Sequence, residues 1–557
     1  MGRAGKIVAG TSSSPGNSSP ALIRVRAVSL AILTLGWMLG AHPQRAEAQA
    51  FGLNSANPDS VLSDQLNKIP GEPLTLADAV HDAIDGGSTL AQRAAAEVVA
   101  ARGAHMREKG HFDPELFFDG TTGEIEHVRT SPFETNDVIS TRTSTGSGGI
   151  RTLLPLGTEL EASMDALRTE TNSTFSTVNP SYDAVGRLSI RQPLLRGFGP
   201  GTSSEATATG REEKAALARY DDVRIEVETT VEQVYWDLHA AERDLAVQQL
   251  IRDQAQALET QAELRARSGL VGPNDVATAK VFLAEQEQSL LDREEDLDKI
   301  SDRLASLIGR RPKDVPRFRA VDQPPTSFPI EPEDAAVARA LDQNLAIKAR
   351  EEDLAAAEAR EKGAAWNRYP KLDVLGSLGG TGLAGTPQDV TFLPGAEPVP
   401  VSGKFGDAFT DVIHRDFPTW SAGVSFSFPI FLRQGRGEHE RLKGETDRAH
   451  QDLEEARRFL TEDVRTAHRA LVRAARRFEV AGQGVEASRE QVRIGILQYN
   501  SGRTTAFELV RLGADLATAQ QRYSQALVRT AKAAAALRFL TSGSYPASTS
   551  TGGNTRP

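Results

Sequence analysis

The sequence predicts a mixed α and β fold that is duplicated within one chain, with alternating strands leading into unusually long helices. The segment Trp420 to Phe428 alternates apolar with small polar residues, which is the period-2 pattern of a strand with one apolar face. The next segment, Gly437 to Tyr499, keeps a helical pattern over about 63 residues, whereas an ordinary helix has about 11 to 12. The same order of segments occurs twice along the chain.

The composition excludes several classes of protein. The 557 residues carry a formal net charge of -11, whereas nucleic-acid binding needs clustered Lys and Arg in excess. The chain contains no cysteine, which removes disulfides, thiolate metal sites and lipid-bearing cysteines. We therefore predict no nucleic-acid partner and no cofactor.

The N-terminus has the pattern of a secretory signal peptide. Two arginines precede the apolar run Ala27 to Ala41, and small residues then allow cleavage after Ala48 or after Ala50. The predicted signal peptide occupies residues 1–50, and the mature protein is expected to be exported. No later segment approaches 18 uninterrupted apolar residues, so any contact of the mature chain with a membrane must be made by strands.

Matched residues at a fixed spacing reveal the duplication. Ala79-Val80 recurs as Ala336-Val337, and Ser268-Gly269 recurs as Ser501-Gly502 with an offset that then holds to the end of the repeat. The predicted organisation is a signal peptide (1–50), an N-terminal extension (51–73), a first repeat (74–309), a proline-rich linker (310–332), a second repeat (333–541) and a disordered C-terminal tail (542–557).

Each repeat reads as helix, strands, long helix, break and shorter helix. In the first repeat the predicted segments are a helix Leu74 to Gly110, a strand Glu115 to Asp119, a Thr- and Ser-rich loop 124–149, a β-rich region Ile150 to Arg168, a strand Val185 to Gln192, and helices Ser204 to Arg267 and Pro273 to Gly309. In the second they are helices Glu333 to Gly363, Gly437 to Tyr499 and Thr505 to Thr541, with strands Leu372 to Leu378 and Trp420 to Phe428. Two shorter helices placed end to end nearly equal one long helix, which predicts a four-helix wall.

Apolar positions of the first long helix step by four and three, which is the spacing of a coiled-coil seam. They are Val227, Val231, Val234, Leu238, Ala241 and Leu245. These residues are expected to form the packed side of the helix.

The alternating strands have one wholly apolar face, which is either the core of a soluble β-sandwich or a surface in lipid. The residues predicted to face lipid are Trp420, Val424, Phe426, Phe428, Leu372 and Val374. In lipid such strands must belong to a closed barrel, and closed barrels begin at eight strands. Four principal strands per chain would give twelve in three copies. The region Ile150 to Arg168 leaves a further hairpin, and so six strands per chain, open.

These segments resemble the outer membrane efflux protein family typified by TolC. The resemblance covers nearly everything from Leu74 to Leu540 and lies in the order of segments more than in any single motif. The matching motifs are Leu74-Thr75-Leu76 with Ala79-Val80, Gln192-Pro193-Leu194-Leu195-Arg196-Gly197, and Tyr499-Asn500-Ser501-Gly502.

The resemblance implies a homotrimer in which a twelve-stranded β-barrel in the outer membrane continues as an α-helical barrel through the periplasm. It implies a passive duct of a tripartite efflux or type I secretion system, located in the outer membrane of a Gram-negative cell. Its partners would be outer membrane lipid, a periplasmic adaptor and an inner-membrane transporter.

By position, the resemblance also places adaptor docking and a constriction at the two helix breaks. The residues of the two tips are Ser268, Gly269, Leu270, Ser501, Gly502 and Arg503. The first acid of the constriction corresponds to Glu508, but Arg511 stands where the family has a second acid, so an exposed Glu–Arg pair is the alternative. Asp275 occupies the matching place in the first repeat and could equally be a helix N-terminal acid.

A second hypothesis is a periplasmic coiled-coil structural or adaptor protein without a membrane barrel. An enzyme is not expected. The glycines of 197–201 lie between a strand and a helix, but that helix is too long for a dinucleotide-binding unit. The histidines do not cluster at metal-ligand spacing.

Overall fold

The computed structural model describes residues 62, 65–388, 400–501, 503–504 and 506–542, without the side chains of 499, 500, 506, 507, 509 and 510. The predicted signal peptide, nearly all of the predicted tail and Gly502 lie outside these residues.

The two predicted long helices and the strands between them are present. The strands are β1 Glu72–Leu74, β2 Glu115–Val128, β3 Val138–Leu153, β4 Glu159–Thr171, β5 Val178–Pro193, β6 Phe318–Ala320, β7 Lys371–Pro387 and β8 Phe417–Ser427. The α-helices are α1 Leu76–Asp82, α2 Thr89–Gly110, α3 Pro200–Arg267, α4 Pro273–Ile308, α5 Glu333–Gln343, α6 Leu345–Asn367, α7 Phe405–His414, α8 Arg433–Asn500 and α9 Ala506–Leu540.

One antiparallel sheet contains six strands in the order β2-β3-β4-β5-β7-β8. The predicted loop at 124–149 is wrong, because β2 continues to Val128 and β3 begins at Val138. Thr, Ser and Gly dominate these strands, so they lack the apolar alternation that signals a strand. Cross-strand hydroxyl pairs join them instead, as between Thr122 Oγ1 and Ser144 Oγ at 2.9 Å.

The region Ile150 to Arg168 forms a hairpin and thereby raises the strand count. It contains the end of β3, a turn at Gly157 and most of β4. Gly157 has φ +86°, and an added Cβ would lie 2.1 Å from the carbonyl oxygen of Gly197, so only glycine fits this turn. Within the described residues the sheet therefore has six strands, not the four that the sequence favoured.

The helices form four parallel columns. The long helices α3 and α8 contain 68 residues each, or about 100 Å at 1.5 Å per residue. Helix α3 packs against α2 and α6 along one half and against α4 and α9 along the other, and α8 packs against α6 and α9. Two columns are thus single long helices and two are stacked shorter ones, as the helix lengths predicted.

The stacked helices meet at specific contacts. Asn344 separates α5 from α6, caps α6 by accepting from the Ile347 N–H at 3.1 Å, and donates to the Leu540 carbonyl at the end of α9 at 3.0 Å. In the other column Gly309 ends α4 with φ +69° and lies against Gly87. The predicted helix from Leu74 to Gly110 is divided by a π-helical turn, Ala83–Gly87, in which Gly86 has φ +134°.

The predicted seam of α3 forms the core of the helical region. Val227, Val231, Val234, Leu238 and Leu245 are each at most 5% exposed. They pack in one cluster with apolar residues of α4 and α9, so burial of a continuous apolar stripe stabilises the long helix.

A two-stranded parallel sheet ties the segment before α1 to the segment that the sequence predicted as a linker. Strand β1 pairs with β6, whose Phe318 is 1% exposed. The hydroxyl of Tyr235 on α3 donates to the Leu74 carbonyl at 2.9 Å and lies 3.1 Å from Asp322 Oδ2. We name β1, β6 and these contacts the clasp.

The clasp contains a buried carboxyl group. Glu242 of α3 is 5% exposed, and its Oε1 accepts from the Ala320 N–H of β6 at 2.8 Å. Burial raises the pKa of Glu242 to about 7 from its ordinary value of 4.5, against the lowering effect of that hydrogen bond. The folded chain therefore holds a proton on Glu242 more tightly than the unfolded chain.

We predict that Glu242→Gln reduces the pH dependence of stability. Protonated Glu242 contributes its full share to the free energy of unfolding below pH 4.5, and this share is lost as the pH rises through about 7. Gln keeps the acceptor for Ala320 and stays neutral, so the variant should gain stability relative to wild type as the pH rises from 5 to 8, by up to about 3 kcal/mol. Thermal unfolding in detergent across this range measures the difference.

The matched control is Glu287→Gln, which removes a carboxylate from an exposed position on α4. It should shift stability little and equally at both pH values. Parallel pH profiles for wild type and Glu242→Gln would contradict the assigned role of the buried carboxyl.

Candidate functional site

Near the long helices, the six-stranded sheet has one apolar and one polar face, whereas farther from them the apolar side also carries the Glu124–Arg142 ion pair. Directly opposed residues of neighbouring strands lie on the same face. Leu372 opposes Phe426, Val374 opposes Val424, and Leu378 opposes both Trp420 of β8 and Leu188 of β5. The register therefore brings the predicted lipid-facing positions together.

Most of the predicted lipid-facing side chains are exposed in the single chain. Trp420, Val424 and Phe426 are 76%, 69% and 65% exposed, and Val374 is 42% exposed. Leu372 is partly buried, and Phe428 follows the last residue of β8. Exposed large apolar side chains in such a contiguous set mark a surface that meets lipid or protein.

The apolar face extends over strands that the sequence reasoning did not assign to it. Leu116 and Phe118 of β2 are each 83% exposed, and Leu116 opposes Ile150 of β3. Ile150 in turn opposes Ala162 of β4. The signal was present as the short alternation at Leu116 and Phe118, but it stops where Thr and Gly begin.

The opposite face is polar and is crossed by charged pairs. The Arg191 guanidinium donates to Asp373 Oδ2 at 2.9 Å and to Glu159 Oε1 at 2.6 Å, so it joins β4, β5 and β7. Arg151 and Glu115 form a similar pair at 2.7 Å between β3 and β2. One side of the sheet suits an apolar medium, and the other suits water.

At the far end of the helices, the first predicted tip is a tight helix ending. Ser268 is the C-cap residue of α3, and Gly269, which follows it, has φ +70°. The Leu270 N–H donates to the Arg265 carbonyl at 2.9 Å and the Gly269 N–H to Ala266 at 3.0 Å, which is a Schellman motif. Leu270 is left 75% exposed.

The second predicted tip has the corresponding bond. The Arg503 N–H donates to the Gln498 carbonyl at 2.9 Å, and the Ser501 N–H donates to Leu497 at 3.1 Å. Arg503 and Gln498 are the counterparts of Leu270 and Arg265 in the duplication. In the described residues, the two repeats thus share these two backbone hydrogen bonds at the end of the long helix.

The residues predicted at the constriction occupy neighbouring positions. Asp275 Oδ2 accepts from the Gly272 N–H at 3.1 Å and so caps α4, in agreement with the helix N-terminal alternative. Arg511 Nη2 donates to Glu508 Oε1 at 2.6 Å, and both side chains are partly or largely exposed. In the single chain the alternative of an exposed Glu–Arg pair is therefore the geometry observed.

A groove of about 510 Å³ joins the two repeats beside these tips. Asp275 and Phe282 of α4 line one side and Arg511 of α9 the other, with Ile251 and Leu258 of α3 below. The sequence did not predict this groove, because it depends on how α9 packs against α3.

Across the described ranges, no group of three or more His, Cys, Asp or Glu side chains is placed to hold a metal ion. A separate search of the described helices finds none that is both long enough and apolar enough to cross a membrane.

Solved structures of channels have a similar fold. The outer-membrane channel OprN is 17% identical, with a TM-score of 0.56 over 84% of this chain and 90% of that chain. The CmeC outer membrane channel of Campylobacter jejuni is 13% identical, with a TM-score of 0.54 over 85% and 86%. The MtrE outer membrane channel of Neisseria gonorrhoeae, in its open state, is 17% identical, with a TM-score of 0.54 over 84% and 89%. No curated protein sequence matches the chain.

The fold, with its two-faced sheet and long helices, is therefore the fold of these solved channels. The family model described as outer membrane efflux protein matches residues 151–310 and 336–543, which is more than half of the chain. The chain belongs to the outer membrane efflux protein family, and the resemblance seen in the sequence is confirmed. Members of this family are outer membrane channels and not enzymes, and membership implies a place in the outer membrane.

Proposed function

We propose that the protein is a passive trimeric duct of a tripartite efflux or type I secretion system. Substrate would enter from an inner-membrane transporter through a periplasmic adaptor and leave through the outer membrane. The observation that carries this proposal is a sheet with one apolar and one polar face that leads directly into helices about 100 Å long. Such a helix length suits a path across the periplasm.

Closure of the barrel requires more than one copy. Strands β2 and β8 lie at the two edges of the sheet, and an edge left open in lipid would expose unpaired backbone groups. Because six antiparallel strands alternate in direction, β8 of one copy would run antiparallel to β2 of the next. Three copies would therefore close a barrel of eighteen strands, in place of the twelve expected from four strands per chain.

The helical columns support the same assembly. The described helices of one chain form a wall four columns wide, so three chains would supply twelve columns around one axis. The tips, with Ser268, Gly269, Leu270, Ser501 and Arg503, would form the periplasmic end where the adaptor docks. Gly502, which lies outside the described residues, belongs to the same predicted docking set.

The alternative of a periplasmic coiled-coil protein without a barrel requires protein to cover the apolar face. In the described part of the chain, Trp420, Val424 and Phe426 remain largely exposed. Lipid contact accounts for these side chains directly, so the duct is favoured.

We predict that single cysteines at Phe426 and at Ser425 differ in their surroundings. The protein has no cysteine of its own, so each label is unique. Phe426 belongs to the apolar face and Ser425 opposes Asp373 on the polar face. In outer membrane vesicles, a water-soluble maleimide should modify Phe426→Cys many times more slowly than Ser425→Cys.

Recovery of the protein in the soluble periplasmic fraction, or equal labelling of both cysteines, would contradict the duct. Denatured samples provide the control, because both cysteines should then react equally.

We also predict that Glu508 sets the ion preference of the constriction. Glu508→Gln should lower the preference of the channel for cations in planar bilayers, because a carboxylate ring at a narrow passage attracts cations. Arg511→Gln should raise it. The reversal potential under a salt gradient measures both shifts.

The matched control is Glu438→Gln, which breaks the same type of i, i+3 pair, with Arg441 at 2.5 Å, near the start of α8 and therefore far from the tips. This variant should leave the reversal potential near that of wild type. If Glu438→Gln shifted the reversal potential as much as Glu508→Gln, this would contradict the placement of the constriction at the tip.

A further inference from the structure

A short helix lies on the apolar face of the sheet, at the end away from the long helices. Helix α7, Phe405–His414, packs against β5 and β7. Its Ala408 and Val412 cluster with Ala184 and Ala384 of these strands, and Met164 of β4 packs at the margin.

The strand residues under α7 share a face with the proposed lipid surface. Gly380 and Gly382 follow Leu378 in steps of two along β7, and Gly186 opposes Gly380. Residues two apart on a strand lie on one face. Helix α7 therefore lies outside the proposed barrel, on the same side as Leu378 and Trp420.

Glycines form the seat of the helix. A Cβ added at Gly382 would lie 2.0 Å from the Ala408 carbonyl oxygen, and one at Gly186 would lie 2.5 Å from Val412 Cγ1. A Cβ at Gly380 would lie 3.1 Å from the Val412 carbonyl oxygen. Small residues let a helix backbone approach a sheet this closely, so these glycines fit the bound helix.

The exposed part of α7 has an apolar and a polar flank. Phe405, Phe409 and Ile413 recur every four residues and are 42%, 39% and 63% exposed. Thr410 and His414 lie on the other flank and are also exposed. A helix that separates these two flanks is typical of the boundary between membrane and water.

The ends of α7 are fixed, so that its flanks keep their orientation. The Lys404 N–H donates to Asp407 Oδ2 at 2.7 Å at the N-terminus. At the C-terminus Arg415 adopts φ +60° and returns the chain to β8 at Phe417. The Tyr182 and Phe405 rings are in contact, with centroids 6.4 Å apart.

We propose that α7 is a membrane anchor on the outside of the barrel, with Phe409 and Ile413 in contact with lipid acyl chains of the outer membrane. The proposal rests on the proposed function, since it requires the sheet to span the membrane. Lipid is the occupant because the apolar flank continues the lipid face at Leu378 and Trp420, and because Thr410 and His414 mark the side that meets water. The paired rings of Phe405 and Tyr182, near the end of β5 and β7 that lies away from the long helices, suit the interfacial aromatic girdle of a barrel.

The test uses single nitroxide labels on cysteines at Ile413, Phe409 and Thr410 in the full chain, reconstituted in phospholipid vesicles. Oxygen concentrates in the acyl region and a nickel chelate in water. The ratio of oxygen to nickel collision rates should be several times higher at Ile413 and Phe409 than at Thr410. Equal ratios at the three sites would overturn the anchor, as would labels at Ile413 and Phe409 that neither reagent reaches, because these would indicate a protein partner or a second copy.

Labels at Phe426 and Ser425 in the same vesicles separate the two proposals. A lipid-accessible Phe426 with a water-accessible Ile413 would refute the anchor and leave the barrel standing. Water at both positions would refute the barrel as well.

A second variant tests whether α7 needs the glycines beneath it, and it leaves the label at Ile413 in place. Gly382→Val should displace α7 and raise the mobility of the label at Ile413. Gly423→Val is the matched control, since a Cβ at Gly423 of β8 meets nothing within 4 Å and points to the polar face. Unchanged mobility in Gly382→Val, with the trimer intact, would show that α7 does not depend on this seat.

Discussion

Backbone hydrogen bonding in lipid is the constraint on which the rest of this structure depends. A strand in the membrane must pair along both edges, since no water replaces a missing partner. The alternation of apolar and polar side chains then fixes which face meets lipid and which meets water. A sheet of six strands with open edges at β2 and β8 satisfies this constraint only by joining further copies. The need for more than one copy, the proposed polar lumen and the proposed lipid surface all follow from this requirement.

The helical part of the chain forms a wall of four columns that have similar lengths. Two columns are single helices, and two are shorter helices stacked end to end. The stacked columns remain continuous because Asn344 links α6 to α9, while Gly87 and Gly309 allow close approach in the other pair. In the clasp, Tyr235 and Glu242 of α3 form hydrogen bonds with Leu74 of β1 and Ala320 of β6, and so hold these two segments against the long helix. Duplication thus gives one chain two long helices and two stacked columns of shorter helices of compatible length.

The sequence predicted the parts whose pattern is strong and local. The long helices and the β8 strand were found because their periodicity is sustained, as at Val227 to Leu245 and Trp420 to Phe428. The hairpin of β2 and β3 was missed, because Thr, Ser and Gly can pair as strands without any apolar alternation. Helix α7 and the groove between Asp275 and Arg511 were also missed, since both depend on contacts between segments far apart in the chain. The breaks at Ser268 and Ser501 were foreseen from the serine–glycine pair at each of them, and they served as evidence for the duplication.

The most direct measurement is electron cryo-microscopy of the protein solubilised from the outer membrane in mild detergent. Our account predicts three copies around one axis, with β8 of each copy hydrogen-bonded to β2 of the next and eighteen strands in the barrel. Helices α3 and α8 would line a continuous tube below it. A monomer, or an assembly in which β2 and β8 remain unpaired, would contradict the account.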